Sequence, residues 1–362
     1  MNVAVLYGGK SGEHEVSLAS AASVVRNMPS EHKIILIAIT KEGRWLLQSE
    51  ALLAEARESD LPLSIKQPAP EVLVAPGEGL RVYGSHGASK LPVDMVFPVL
   101  HGSFGEDGTV QGLLECASLP YVGADVLGSA LGMDKDSAKR LWMQEGLPVV
   151  PFMTINAGTE DGLEASMDSA AKRFGWPMFV KPSRTGSSVG ASKISSASSW
   201  TSCVRDALRY DTKVIVEPFI ESREIECSVV GNGIPKAFEP GEVAPTHEFY
   251  DYEAKYLDPE GARLIIPAPI SPELRERVML LAEKAYGTLG LSGMARVDFF
   301  LDKNTGELYL NEVNTLPGFT SISMFPKMCA AGGLAYPKLL ADLMALALER
   351  HSERGALSYE RL

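Results

Sequence analysis

Apolar residues along this chain fall into short blocks, and their spacing predicts an alternation of strands and helices. Residues 2–7 form an unbroken apolar run, which reads as a buried strand, and residues 15–28 read as the helix that follows a double-glycine turn. Residues 33–40 and 94–100 predict two more strands, 109–118 a helix, and 125–145 one long helix or two in series. Strand, helix, strand in that order predicts a βαβ-type α/β unit with helices covering a mostly parallel sheet over residues 1–125. Residues 50–90 are rich in Pro, Gly and Ala and are expected to be peripheral.

The prolines at 148 and 151 mark a break. Beyond it, residues 178–182 and 189–194 read as strands flanking a Ser/Gly turn, and 214–220 as another strand. A third unit is expected from Glu224, with an extended segment at 226–230, a polar loop at 241–263, a strand at 264–268 and a helix at 272–289. That loop lacks a clear period and suits a lid. Residues 295–318 predict a hairpin around an Asp-Lys-Asn-Thr-Gly turn, and 336–351 a closing helix.

The hairpin carries the sharpest chemistry. Side chains alternate faces along a strand, so Arg296 and Asp298 share one face and Glu312 and Asn314 share another. Paired strands would bring two carboxylates and a carboxamide together, a set of oxygen donors suited to Mg2+ or Mn2+. Apolar neighbours (Val297, Phe299, Leu310, Val313) argue against a simple solvated hairpin, because unpaired buried carboxylates are costly. The turn at 183–188 (SRTGSS) exposes backbone N–H groups and hydroxyls fit for phosphate oxygens, yet it joins strand to strand and is not a Walker A loop. Lys135 and Lys181 supply cations for the same ligand.

Composition narrows the classes. At 362 residues two or three units are expected, and 45% hydrophobic with 22% charged residues is ordinary soluble material. A net charge of −12 argues against a nucleic-acid partner. Four widely separated cysteines fit free thiols in a reducing compartment. With no basic region ahead of an apolar run at the N-terminus and no apolar span of ~20 residues, a cytoplasmic protein is expected.

Taken in order, GGKSGEHEVSL (8–18), LHGSFGEDGTVQG (100–112), GMDK (132–135), VKPSRTGSSVG (180–190), VEPFIESREIE (216–226), FYDYEAKY (249–256), ARVDFF (295–300) and NEVNTLPGFTSISMFP (311–326) resemble the motifs of the D-alanine–D-alanine ligases of the ATP-grasp superfamily. Only residues 50–90 lack a motif. The resemblance implies α/β architecture (α+β in the ATP-grasp part), with an N-terminal substrate-binding domain at 1–125, a central ATP-grasp domain at 126–223 and a C-terminal one at 224–362 carrying metal site and lid. It implies a two-step reaction: a D-alanine carboxylate attacks the γ-phosphate of ATP, and the amine of a second D-alanine displaces phosphate from the acyl phosphate. The resemblance further implies a homodimer.

Residue by residue, the resemblance assigns Glu13 to the ammonium of the first D-alanine and His101 to its neighbourhood. Lys135, Lys181, Ser188 and Lys255 go to the phosphates, Glu217, Phe219 and Ile220 to the adenine slot, and Glu224 to the ribose. Asp298, Glu312 and Asn314 go to two Mg2+ or Mn2+ ions. Arg296 and the Gly318 N–H form the oxyanion site, Ser323 and Met324 meet the second D-alanine, and Ser187 and Tyr256 link the lid back to Glu13. On chemistry alone, Glu13 is equally a helix-capping acid and Arg296 equally a salt-bridge partner of Asp298. Tyr256 within EAKY and the Ser323-Met324 pair resemble the dipeptide-forming members, while Ile322 and Met324 depart from the histidine and leucine frequent there. The competing expectations are a D-alanine–D-lactate or D-alanine–D-serine ligase and a non-catalytic ATP-binding module.

Overall fold

The structure, a computed structural model, describes residues 1–84, 87–158, 160–245 and 262–360. Its frame is three sheets. The first has seven strands: β1 (Asn2–Gly8), β2 (Lys33–Ile39), β3 (Trp45–Leu47), β4 (Glu71–Ala75), β5 (Gly79–Gly84), β6 (Gly87–Leu91) and β7 (Met95–Val99), in the order β6-β5-β4-β3-β2-β1-β7. Strands β2, β1 and β7 run parallel. From β3 to β6 the pairing is antiparallel. Residues 50–90, expected to be peripheral, thus contribute helix α2 (Glu50–Glu58) and the three strands β4, β5 and β6 at one end of the sheet, β6 being its edge.

Strand β1 is apolar throughout because both of its faces are covered. Val3, Val5 and Tyr7 pack against α1 (His14–Asn27), which in turn meets the helix Tyr336–Gly355, so that Leu339, Leu340 and Leu343 join the same core. Ala4 and Leu6 face the opposite way, toward α3 (Thr109–Cys116). The first and last parts of the chain therefore share one core.

Residues 125–145 form two helices, α4 (Val126–Met133) and α5 (Lys135–Gln144), because each has its own aspartate cap: Asp125 accepts from the Gly128 N–H and Asp134 from that of Ser137. The second sheet is antiparallel: β8 (Met153–Asn156), β9 (Met178–Pro182), β10 (Ser192–Ile194) and β11 (Lys213–Pro218), in the order β10-β9-β11-β8. Two helices unassigned from sequence, α6 (Glu160–Phe174) and α7 (Ala197–Ala207), cover it around Trp200, Val204 and Ala207.

The third sheet holds β12 (Ser222–Val230), β13 (Lys236–Ala237), β14 (Gly241–Pro245), β15 (Ala262–Ile265), β16 (Met294–Asp302) and β17 (Leu308–Asn314). Its main path is β15-β14-β12-β16-β17. The β16–β17 turn forms as its residues dictate, with the Asp302 carboxylate accepting the Asn304 N–H at 2.8 Å and Gly306 at φ 72°. Among the described residues no single helix is long and apolar enough to cross a membrane.

Helix α5 is anchored by Trp142, which is fully buried and donates its indole N–H to the Ala285 carbonyl of the helix Pro272–Thr288 at 3.0 Å. Trp142→Ala should lower stability by about 3–5 kcal/mol, read as a fall in the urea midpoint of the intact chain.

Candidate active site

Strands β16 and β17 pair so that Arg296 faces Asn314 and Asp298 faces Glu312. On the other side of β16, strand β12 puts Glu226 opposite Asp298. Three carboxylates thus lie abreast on neighbouring strands, and Glu226 is the member that sequence reasoning missed. Its signal is the period-two spacing from Glu224 within REIE, but that register to the hairpin is visible only in the folded sheet.

A row of like charges stands only if cations balance it. Arg296 donates through Nε and Nη2 to the two oxygens of Asp298, each at 2.7 Å, and its Nε lies 3.1 Å from Glu226 Oε2. Asn314 donates to Asp298 Oδ2 at 2.9 Å. Lys135 Nζ lies 3.0 Å from Glu312 Oε2 and donates to the Thr185 carbonyl at 2.8 Å. The register shifts just after Asp298, which makes Asn311 an extra residue; its side-chain oxygen accepts from Lys181 at 2.8 Å.

Among the described residues no three His, Cys, Asp or Glu side chains gather as a metal-binding group. Asp298, Glu312 and Asn314 offer two carboxylates and one amide oxygen on one sheet face. That set fits a hard divalent cation which draws its remaining ligands from water and phosphate.

The Ser/Gly turn faces this row. The Lys135 N–H donates to the Ser183 carbonyl at 2.9 Å, tying the start of α5 to the turn. Ser187 and Ser188 have φ of 53° and 58°, a left-handed conformation that costs non-glycine residues about 1–2 kcal/mol each. Strain of this kind concentrates where structure serves a ligand.

Behind the turn, Glu217 is only 2% exposed and pairs with Lys181 at 3.0 Å and with the fully buried Lys139. Burial pushes the Glu217 carboxyl up, but Lys139 and Lys181 outweigh it and hold the group below its usual range. The Glu217 side chain is therefore committed to lysines. Lys139 was not singled out from sequence, although it lies four residues after Lys135 on the same helix face.

Glu13 precedes α1 without capping it through its side chain. Instead it accepts from Ser187 Oγ at 2.6 Å, so the capping alternative is set aside. A Cβ at Gly102 would lie 2.7 Å from Glu13 Oε2, and one at Gly186 3.3 Å. Glycine at both positions keeps the space over this carboxylate open.

His101 is buried, and both ring nitrogens are engaged. Nδ1 donates to the Leu316 carbonyl at 2.9 Å, and Nε2 meets Ser20 Oγ at 3.1 Å. A carbonyl only accepts, so the proton sits on Nδ1, and burial lowers the ring pKa and favours the neutral form. Glu106, also missed, grips the backbone of Leu316 on its N-terminal side. It accepts the Leu316 N–H at 2.9 Å and the Gly102 N–H at 2.8 Å. Two residues on, the Gly318 position is closed by Ser323, whose Oγ a Cβ would approach to 2.7 Å and which accepts the Thr320 N–H at 3.0 Å. Met324 packs inward with Val243 and Met328.

Phe219 is held by its N–H to the Pro177 carbonyl at 3.0 Å, with Lys193 Nζ 4.0 Å above its ring. Ile220 and Glu224 are half-buried nearby, Glu224 opposite Val243 and Phe300. Lys255 and Tyr256 lie outside the described residues.

The chain matches two family models, "D-ala D-ala ligase N-terminus" over residues 2–124 and "D-ala D-ala ligase C-terminus" over residues 141–345. A D-alanine–D-alanine ligase of Treponema denticola is 49% identical over 97% of this chain and 96% of its own length. D-alanine–D-alanine ligase A of Bradyrhizobium diazoefficiens is 48% identical over 99% and 97%. Among solved structures, the D-alanine–D-alanine ligase of Coxiella burnetii superposes with a TM-score of 0.85 at 36% identity, over 98% of this chain and 96% of that one. The VanG D-Ala:D-Ser ligase of Enterococcus faecalis superposes with a TM-score of 0.82 at 36% identity, over 96% and 99%.

Burial and the nearby Glu13 push the Glu106 carboxyl up to about 8, against the two N–H groups that oppose the rise. A raised carboxyl pKa means that the folded state holds a proton which the unfolded chain releases. Its contribution is full below the ordinary carboxylate range and is lost as pH rises through about 8. The urea midpoint should fall between pH 5 and 8, and Glu106→Gln should flatten that slope; parallel profiles of the two proteins would contradict this assignment.

Proposed function

The chain belongs to the D-alanine–D-alanine ligase family, and we infer that it joins two D-alanine molecules at the expense of ATP, through a D-alanyl phosphate. One observation carries the reading down to residues. Lys135 touches both Glu312 of the acidic hairpin and the Thr185 carbonyl of the Ser/Gly turn, so that donors for a metal and donors for phosphate oxygens share one cleft.

In this reading Glu13 receives the ammonium of the first D-alanine, and its tie to Ser187 brings the phosphate turn over that substrate. Lys135, Lys181, Ser188 and Lys255 hold the phosphates. The backbone of Glu217 to Ile220 reads the adenine edge, and Glu224 the ribose. Asp298, Glu312 and Asn314 would hold two Mg2+ or Mn2+ ions, which supply charge neutralisation on the triphosphate. Arg296 and the Gly318 N–H stabilise the oxyanion formed when the second amine attacks, a donor being typically worth about 3–4 kcal/mol. His101, with both nitrogens engaged, and Glu106 hold the backbone on either side of Leu316 and thereby aim the Gly318 N–H; Ser323 and Met324 border the second D-alanine. Tyr256 completes the link to Glu13 and Ser187. The working units are 1–125, 126–223 and 224–362, and the assembly is a cytoplasmic homodimer.

The test is phosphate release from ATP by the purified protein with D-alanine alone, then with D-lactate or D-serine as co-substrate. Release with D-alanine supports the reading. Release only with a hydroxy acid or D-serine present would assign the sibling activity, and none under any condition would leave only nucleotide binding. Asp298→Ala should lower kcat about 10³-fold or more while leaving the far-UV circular dichroism unchanged. Near-normal turnover by that variant with Mg2+ would overturn the metal assignment.

A further inference from the structure

Glu226 has no part in the scheme above, yet it stands in the middle of it. It is 8% exposed, on β12 between Ile225 and Cys227, both of which enter the core beneath the sheet while Glu226 projects to the cleft face. Burying an acid there is costly unless a cation answers it, and the cation is Arg296.

Resting on the reading of Arg296 as the oxyanion donor, we infer that Glu226 is its positioning residue. Both carboxylates that hold Arg296 do so at one edge of the guanidinium: Asp298 at Nε and Nη2, Glu226 at Nε. That shared edge sets the direction of the remaining nitrogen. The two grips are not equivalent, however. Asp298 also receives the Asn314 amide and belongs to the donor set for the divalent cation, so its charge is divided. A carboxylate that must serve a cation and an arginine at once holds the arginine less firmly. Glu226 lies one strand further from Glu312, across β16, and is placed to keep the guanidinium aligned while Asp298 is occupied. The Asp298 grip is planar and charge-assisted, the kind for which arginine suits better than lysine, and Glu226 adds an ion-pair contact at 3.1 Å.

Three variants and two readouts test this. Glu226→Gln keeps the size and removes the charge; kcat should fall between about 10- and 100-fold, as for a misaligned catalytic group. The KM for ATP, and the affinity of the protein–ADP complex for Mn2+ measured by electron paramagnetic resonance, should stay within about twofold of wild type. Arg296→Ala should lower kcat at least as far, and the double variant should be no slower than Arg296→Ala alone, since a positioning residue has nothing left to position. Loss of Mn2+ affinity by tenfold in Glu226→Gln would make Glu226 a metal ligand and overturn the inference. So would multiplied losses in the double variant, or an unchanged kcat in Glu226→Gln alongside a slow Arg296→Ala. A near-normal Arg296→Ala would remove the oxyanion reading itself, which is a separate failure.

Discussion

The constraint on which the site depends is that charge buried in this cleft is balanced pair by pair. Glu226 and Asp298 share Arg296, Glu312 has Lys135, and Glu217 has Lys139 and Lys181. Removing one member of such a set leaves its partner buried without compensation, which costs more than the intact pair contributes. The row of acids therefore comes with its own arginine and lysines. Groups that would bind phosphates and metal are prearranged by the same attractions that let them be buried.

These pairs also bridge elements far apart in sequence. Lys135, at the first turn of α5, reaches the third sheet and the turn of the second; Lys181 on β9 reaches Asn311 on β17. The backbone of Leu316 is held in a comparable way by side chains from the first third of the chain, with His101 at its carbonyl and Glu106 at its N–H. Ser20 of α1 joins in by accepting the Phe319 N–H at 3.2 Å.

The hairpin was legible in sequence because alternation, apolar packing and a turn with Asp, Asn and Gly all agree on one structure. The first parallel strands were legible for a related reason: continuous apolar runs such as NVAVLY have few other homes. What escaped is physically different. Strands β4 to β6 are short and partly exposed, so their residues carry no strong period. Helices α6 and α7 are rich in Ser and Ala, a mixture that favours no one element by itself. Glu226, Glu106 and Lys139 draw their significance from partners at distances of 70 residues or more along the chain for the first, 210 for the second and 78 for the third, and such pairings follow from topology, not from local pattern. Roles that depend on Lys255 and Tyr256 rest on motif alone, since both lie outside the described residues.

The distribution of apolar packing divides the molecule unequally. One continuous core contains Val3 and Val5 of the first sheet, Met294 of the third and Leu343 of the closing helix, whereas among the described residues the core beneath the second sheet draws on residues between Met153 and Val216. Oil-like cohesion thus welds the outer thirds into one block, and the middle third meets that block through polar handholds such as Ser187 on Glu13. Water can replace such handholds at small cost. Displacing the four-stranded sheet against that block would therefore break polar contacts such as Ser187 on Glu13 more than apolar ones, and such contacts are weakened by salt where they carry charge.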